Sequence, residues 1–233
     1  LAGLPLLLTI KKMIMAIFKD GIFGKMNGKV GNTVYYTLKG KQVTRIIGRR
    51  VKPSTPRQLA NEHGMKVVNR FLKSINAFIK MGFAVEAEAR NVYPYNAALG
   101  YNKKHALKGD FPEIGIDYEK VLLSKGDLDG LNNPSVRLLG NPEEGFALRF
   151  DWDVLPEDRG WPRCDDQVML MAYFPEEGLD DRAVYRIAGA KRQAGQDVLE
   201  LPLSMAGEAM EVYISVISED RTRVADSQYL EVV

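Results

Sequence analysis

The apolar positions of the chain fall into two rhythms. Leu59, Val67, Val68, Phe71, Leu72, Ile75, Phe78 and Ile79 recur at helical spacing up to Gly82, which predicts an amphipathic helix. Thr55-Pro56-Arg57-Gln58 opens it. Threonine can cap, proline suits the first helical position, and glutamine three residues after the cap completes a capping box. Arg57, Lys66, Arg70, Lys73 and Lys80 supply the polar side. Such a cationic face can bind membranes or acidic partners, but an apolar face turned into the core is the simpler account. After Pro94 a second helix is expected over Tyr95 to Leu107, with Lys103, Lys104 and Lys108 near the end where the helix dipole favours cations. Gly109 is its expected stop. Upstream, Val34-Tyr35-Tyr36-Thr37-Leu38 and Gln42-Val43-Thr44-Arg45-Ile46-Ile47 flank Lys39-Gly40-Lys41, the pattern of a β-hairpin.

From residue 117 the rhythm shortens. Strands are expected near Lys120–Ser124, Ser135–Leu139, Phe146–Trp152, Gln167–Phe174, Ala183–Ala188, Val198–Leu201, Glu211–Ser218 and Val224–Val232. Turn residues separate them, among them Asn133-Pro134, Gly140-Asn141-Pro142, Pro175-Glu176-Glu177-Gly178 and Glu219-Asp220. Roughly seven or eight strands in ~115 residues is the rhythm of a Greek-key β-sandwich. Phe146, Leu148, Phe150 and Trp152 alternate with Ala147, Arg149 and Asp151, as one buried face of an antiparallel sheet requires. Tyr213 is a candidate for the polar-tipped aromatic corner of such a sandwich. The expected class is therefore α+β: an N-terminal β-hairpin plus helices, then an immunoglobulin/fibronectin-III-like antiparallel β-sandwich. Three segments follow: a leader over 1–14, a basic hairpin-and-helix module over 15–116 and an acidic sandwich over 117–233.

Composition adds little to this until it is divided along the chain. The 233 residues are 45% hydrophobic and 27% charged with a net charge of +2, ordinary for a folded protein and unlike collagen, low-complexity or disordered chains. Residues 1–108, however, carry 20 Lys+Arg against 4 Asp+Glu, a net +16, and residues 109–233 carry 12 against 26, a net −14. Such asymmetry points to nucleic acid, membrane or an acidic partner on the basic half. It equally suits pairing of the two halves, within one chain or between copies.

The first ten residues are apolar but too short to span a bilayer, which takes ~20 residues. They lack the basic segment and cleavage site of a secretory signal. Met13 or Met15 is a natural start, a truncated signal sequence is the alternative, and a cytoplasmic location is favoured.

Candidate chemistry is sparse. One cysteine, Cys164, excludes an intramolecular disulfide framework and a cysteine-rich zinc site. It lies next to the acids Asp165-Asp166, which argues against an activated nucleophile. With His63 and His105 the only histidines, no Ser-His-Asp or Cys-His arrangement emerges. Gly28-Lys29 is followed by Val30, and Phe23 stands where a Walker loop needs its first glycine. These glycines read instead as tight turns ahead of a strand. Asp165-Asp166, Glu176-Glu177 and Asp180-Asp181 fall in or beside loops without the ligand pattern of an EF-hand. No enzyme, cofactor or metal is expected, and nothing specifies a small molecule.

Lys39, Lys41, Arg45, Arg49, Arg50 and Arg57 are the candidate contacts for an acidic partner or nucleic acid. Bases stack on aromatics while cations meet phosphates, so the patch beside Tyr35 and Tyr36 could serve as a platform. The competing account has the tyrosines packing on the following helix and the lysines guarding an exposed edge. It is preferred because no recognised nucleic-acid motif accompanies the patch.

Several short stretches carry a resemblance. They are Gly28-Lys29-Val30-Gly31-Asn32, Lys39-Gly40-Lys41-Gln42-Val43 and Thr55-Pro56-Arg57-Gln58-Leu59 in the basic half. Asn96-Ala97-Ala98, Tyr101-Asn102, Ile116-Asp117-Tyr118 and Leu123-Ser124-Lys125-Gly126 follow, then Tyr213 to Ser218 and Ser227-Gln228-Tyr229-Leu230. In these the chain resembles a family of uncharacterised proteins, mostly from Bacteroidota, defined only as a domain of unknown function. The resemblance extends over nearly all of residues 15–233 and implies no activity. The expected role is a non-catalytic binding or assembly protein that pairs charge-complementary halves, with a protein partner or a second copy. Nucleic-acid binding by the basic half is the alternative. Carbohydrate or surface adhesion by the sandwich rests on fold analogy alone.

Overall fold

The computed structural model describes residues 17–18, 24–49, 51–141, 145–175, 182–205 and 207–232. The expected leader, Arg50 and the acidic pairs at 176–177 and 180–181 lie outside them. The chain divides into two compact units, residues 1–54 and 55–233.

The first unit is a four-stranded antiparallel sheet of β1 (Ile17–Phe18), β2 (Met26–Val30), β3 (Thr33–Leu38) and β4 (Lys41–Ile46), in that order. The expected hairpin forms with Leu38 opposite Lys41, so Lys41 already belongs to the strand and the turn is Lys39-Gly40 alone. Both turn residues have positive φ, +46° and +77°, which is what a two-residue turn needs to match the strand twist. The glycine-rich stretch expected only to precede a strand is itself one: Gly28, Lys29 and Val30 pair with Tyr35, Val34 and Thr33.

The second unit begins at the capping box. Gln58 N donates to Thr55 Oγ1 at 3.3 Å, and Thr55 N donates to Gln58 Oε1 at 3.0 Å. Helix α1 (Pro56–Ser74) follows, then α2 (Asn76–Gly82), α3 (Ala84–Ala89) and α4 (Pro94–His105). The single helix expected up to Gly82 is thus broken at Ile75. Ser74 Oγ donates back to the Phe71 carbonyl at 2.8 Å, a bond that bends helices. Leu107, expected to end the second helix, instead pairs with Ile116 in a two-stranded ribbon of β5 (Leu107–Lys108) and β6 (Gly115–Ile116).

Seven further strands make two antiparallel sheets. β7 (Asn132–Asn141), β8 (Gly145–Asp153) and β11 (Gln196–Leu201) form one, in the order β11-β8-β7. β9 (Gln167–Phe174), β10 (Arg182–Arg186), β12 (Glu211–Ile217) and β13 (Gln228–Leu230) form the other, in the order β10-β9-β12-β13. The fold class is α+β, with all sheet pairing between named strands antiparallel. Leu148, Phe150 and Trp152 of β8 face Val168, Leu170, Ala172 and Phe174 of β9 and Val212, Ile214 and Val216 of β12 across one core.

The opposite face of the four-stranded sheet is also buried. Met169, Met171 and Tyr173 of β9 and Tyr213 and Ile217 of β12 join Phe71, Leu72, Ile75, Phe78, Ile79 and Phe83 of the helices in a second core. The unit therefore has three layers, helices on sheet on sheet. β9 reads Gln-Val-Met-Leu-Met-Ala-Tyr-Phe because a strand covered on both faces has no polar side. Helices and strands share this core, and the structural division falls at Ser54/Thr55. The change from basic to acidic composition instead falls near residue 109. Charge reports the surface, whereas the unit boundary follows buried apolar contacts.

Two sequence expectations fail here for stated reasons. Lys120–Ser124 is not a strand: after a 3₁₀ turn at Tyr118–Lys120 the chain continues to a bend at Leu123 without a strand partner. Its backbone groups are met elsewhere. The amide of buried Asn102 bonds Leu122 N and O at 2.9 and 2.8 Å, Ser227 Oγ accepts from Leu123 N at 2.8 Å, and Lys125 N donates to Gly82 O at 2.9 Å. Tyr213 faces the helix layer rather than the core between the sheets, and its hydroxyl donates to the Tyr118 carbonyl at 2.8 Å. It is therefore not a corner of the inter-sheet core.

Candidate binding surfaces

Residues 24–54 contain eight lysines and arginines and no aspartate or glutamate. Lys29, Lys41 and Arg45 lie on strands of the first unit, and none of residues 24–49 is buried. Directly paired residues share a face, so the register sorts the side chains. Lys29, Val34 and Arg45 form one cross-strand row, Tyr36 and Val43 the next, and Leu38 and Lys41 the third, all on one face. That face has an apolar middle and cations at both ends. Tyr35 lies on the other face with Thr44, so the two tyrosines do not make one platform. Ile46 is 69% exposed and Leu38 40%.

Of the candidate contacts, Lys41 and Arg45 share this face, Lys39 stands at the tip of the turn, and Arg49 follows β4. Arg57 is exposed near the start of α1 in the second unit. Lys29 belongs with Lys41 and Arg45 and was recoverable from strand alternation, had β2 been recognised.

A second surface lies where the loops after β8, β10 and β12 meet the segment preceding β7. Its foundation is Arg192, whose side chain is 1% exposed. Nη1 donates to Gly130 O at 3.0 Å, Nη2 to Asp129 O, and Nε faces Asp166 Oδ2 at 3.5 Å. The Arg192 carbonyl accepts from Trp152 Nε1 at 2.8 Å, tying the network to the inter-sheet core. Arg163 bridges Asp158 Oδ1 at 3.0 Å and Asp129 Oδ2 at 2.6 Å. Burial pushes the Asp166 carboxyl above its ordinary range, opposed by the Arg192 charge. Burial likewise lowers the Arg192 guanidinium, opposed by Asp158 and Asp166. Asp220 is held down to about 2 because Oδ1 accepts from Ser218 Oγ, Thr222 N and Thr222 Oγ1 at 2.7, 3.0 and 2.8 Å.

Two cavities flank Arg163. One of about 280 Å³ is lined by Asp129, Glu157, Asp158 and Arg192. The other, of about 180 Å³, is lined by Trp161, Pro162, Asp166, Glu219, Asp220 and Arg223 among others. Trp161 is 83% exposed. The sequence marked Asp165-Asp166 and Glu219-Asp220 only as loop acids and did not join them to Trp161 or Arg192, because these residues come from three loops. Elsewhere His63 meets Phe111 edge-on at 5.8 Å. Among the described residues no three His, Cys, Asp or Glu side chains gather to hold a metal. No described helix is long and apolar enough to cross a membrane.

A family of unknown function, DUF6266, matches residues 24–231 by its family model. The chain belongs to this family. The DUF6266 match begins just ahead of β2 and runs past β13, so it takes in both units. No curated protein and no solved structure matches the chain. Several of the sequence pieces that carried the family resemblance meet around residues 121–125: Asn102 bonds Leu122, Ser227 bonds Leu123 N and Ser124 O, and Ser124 Oγ lies 2.7 Å from Ser215 Oγ. Buried polar groups satisfied in this way specify a packing arrangement.

Proposed function

We propose that this DUF6266 protein is a non-catalytic binding and assembly protein. Its cationic N-terminal sheet engages the acidic surface of a protein partner, a second copy included. The observation that carries the reading is the sheet and its flanks: residues 24–54 hold eight cations and no carboxylate, Lys29, Lys41 and Arg45 share one face of the strands, and none of residues 24–49 is buried. Its counterpart is the excess of 26 Asp+Glu over 12 Lys+Arg in residues 109–233. Complementary fields of this kind speed and orient association. The reading is non-catalytic because it rests on an exposed surface rather than on a reactive side-chain constellation.

We read the two facing sheets as a fibronectin-III-like sandwich. The first, second and fifth of its strands form one sheet and the third, fourth, sixth and seventh the other, a Greek-key division between two antiparallel layers. Size exclusion with light scattering, in low and high salt with absorbance at 260 and 280 nm, tests the function. Assembly predicts a multimer at low salt that dissociates at high salt without excess 260 nm absorbance. Placement of Tyr36 among Lys29, Lys41 and Arg45 favours nucleic acid as the second reading. Its signature is 260 nm material that salt strips away. A clean monomer in both salts, unable to bind an acidic protein, refutes assembly.

A further inference from the structure

Resting on the assembly reading, we infer that the loop end bearing Trp161 is the receptor for the cationic sheet of a second copy, so that copies join head to tail. Trp161 is 83% exposed, whereas Trp152, the other tryptophan, is 5% exposed. An indole left in water beside a cavity of about 180 Å³ offers a face to a cation. The same cavity is lined by the exposed carboxylates Glu219 and Asp220, by Asp166, and by two arginines already paired elsewhere, Arg163 with Asp158 and Asp129 and Arg223 with Asp127. Asp166 has a side chain only 5% exposed, and its Oδ2 accepts no hydrogen bond. Arg192 Nε, 3.5 Å away, faces that oxygen from the neighbouring cavity. A guanidinium or ammonium entering from the Trp161 side meets an aromatic face, two surface carboxylates and a buried oxygen with acceptor capacity to spare.

The cationic sheet has the matching form. Lys41 and Arg45 lie at the ends of a face whose middle is Val43 and Tyr36, with Leu38 and Val34 beside the cations. An apolar centre with cations at its ends meets Trp161 and Pro162 flanked by Glu219 and Asp220, whose neighbouring arginines are already paired with other carboxylates, the anatomy of a binding hot spot. A second copy is the occupant because this chain carries both surfaces. A contact between two different patches is heterologous, and it closes into a ring or runs on as a filament.

The test is light scattering of the full chain against concentration at low salt, with three variants. Trp161→Ala removes the indole, Glu219→Lys reverses the receptor and Arg45→Glu reverses the sheet. Each is expected to weaken association about tenfold or more, and mixing Glu219→Lys with Arg45→Glu restores it because opposite charges meet again. Trp152 fluorescence, the sole indole signal in Trp161→Ala, verifies the fold. If Arg45→Glu dissociates while both receptor variants associate like wild type, assembly stands and this receptor is wrong. If wild type is a monomer at every concentration, both ideas fall.

Discussion

Replacing Arg192 by methionine isolates what the buried ionic network contributes. Methionine fills much of the arginine stem's volume but supplies no charge and no donor. Asp158 keeps Arg163 at 3.0 Å and the Leu155 amide at 3.0 Å, so it remains paired. Asp166 loses the Nε that faces it at 3.5 Å, and the carbonyl of Gly130 loses its donor at 3.0 Å. Removing one partner from a buried pair costs about 3–5 kcal/mol, because the remaining charge is left uncompensated. With a urea dependence of ~2 kcal/mol per molar, the midpoint falls by ~2 M. Urea unfolding followed by Trp152 fluorescence measures it, since that indole donates to the Arg192 carbonyl. The pH dependence supplies a second criterion. Burial already raises Asp166 above 3.8, and losing Arg192 raises it further. Between 3.8 and that raised value the folded state binds more protons than the unfolded one, so this group's contribution to stability rises as pH falls. The gap between variant and wild type should therefore narrow on acidification, and adding Asp166→Asn should recover part of the loss at neutral pH. A loss under ~1 kcal/mol, or a gap that widens towards acid, would refute the assignment.

Further outcomes follow from the helix layer. Tyr213→Phe removes the hydroxyl that donates to the Tyr118 carbonyl at 2.8 Å, and should cost about 1–2 kcal/mol in urea unfolding. Burial pushes the Tyr213 phenol above its usual range, so alkaline difference spectroscopy of wild type should show it silent until the protein unfolds. Gly82→Ala places a Cβ 2.3 Å from Leu123 O and 2.8 Å from Ser124 Cβ, whereas a Cβ at Gly100 meets nothing within 4 Å. The first should therefore unfold at a markedly lower temperature. Gly100→Ala, inside α4, should gain about 0.5–1 kcal/mol, and equal melting temperatures for the two variants would contradict the packing.

Local chemistry made some elements legible in the chain alone. The capping box at Thr55 needs only residues three apart, the Lys39-Gly40 turn needs only permissive backbone, and β8 announces itself by alternation. Charge asymmetry is equally a property of composition. Longer-range facts required the folded molecule. The apolar run of β9 identified a strand, but only packing showed that its two faces serve two different cores. Residues 120–124 have strand-like composition, yet Asn102 and Ser227 satisfy their backbone, and no periodicity encodes a side chain arriving from 104 residues away. Tyr35 and Tyr36 are neighbours in sequence and face opposite ways because strand side chains alternate. Arg192 had no sequence signal at all, since a buried guanidinium reads like a surface one until its partners are known. Sequence determined the elements with strong local signals and the distribution of charge along the chain. Tertiary structure decided which faces are buried and which cations remain in water, because burial depends on contacts between segments distant along the chain.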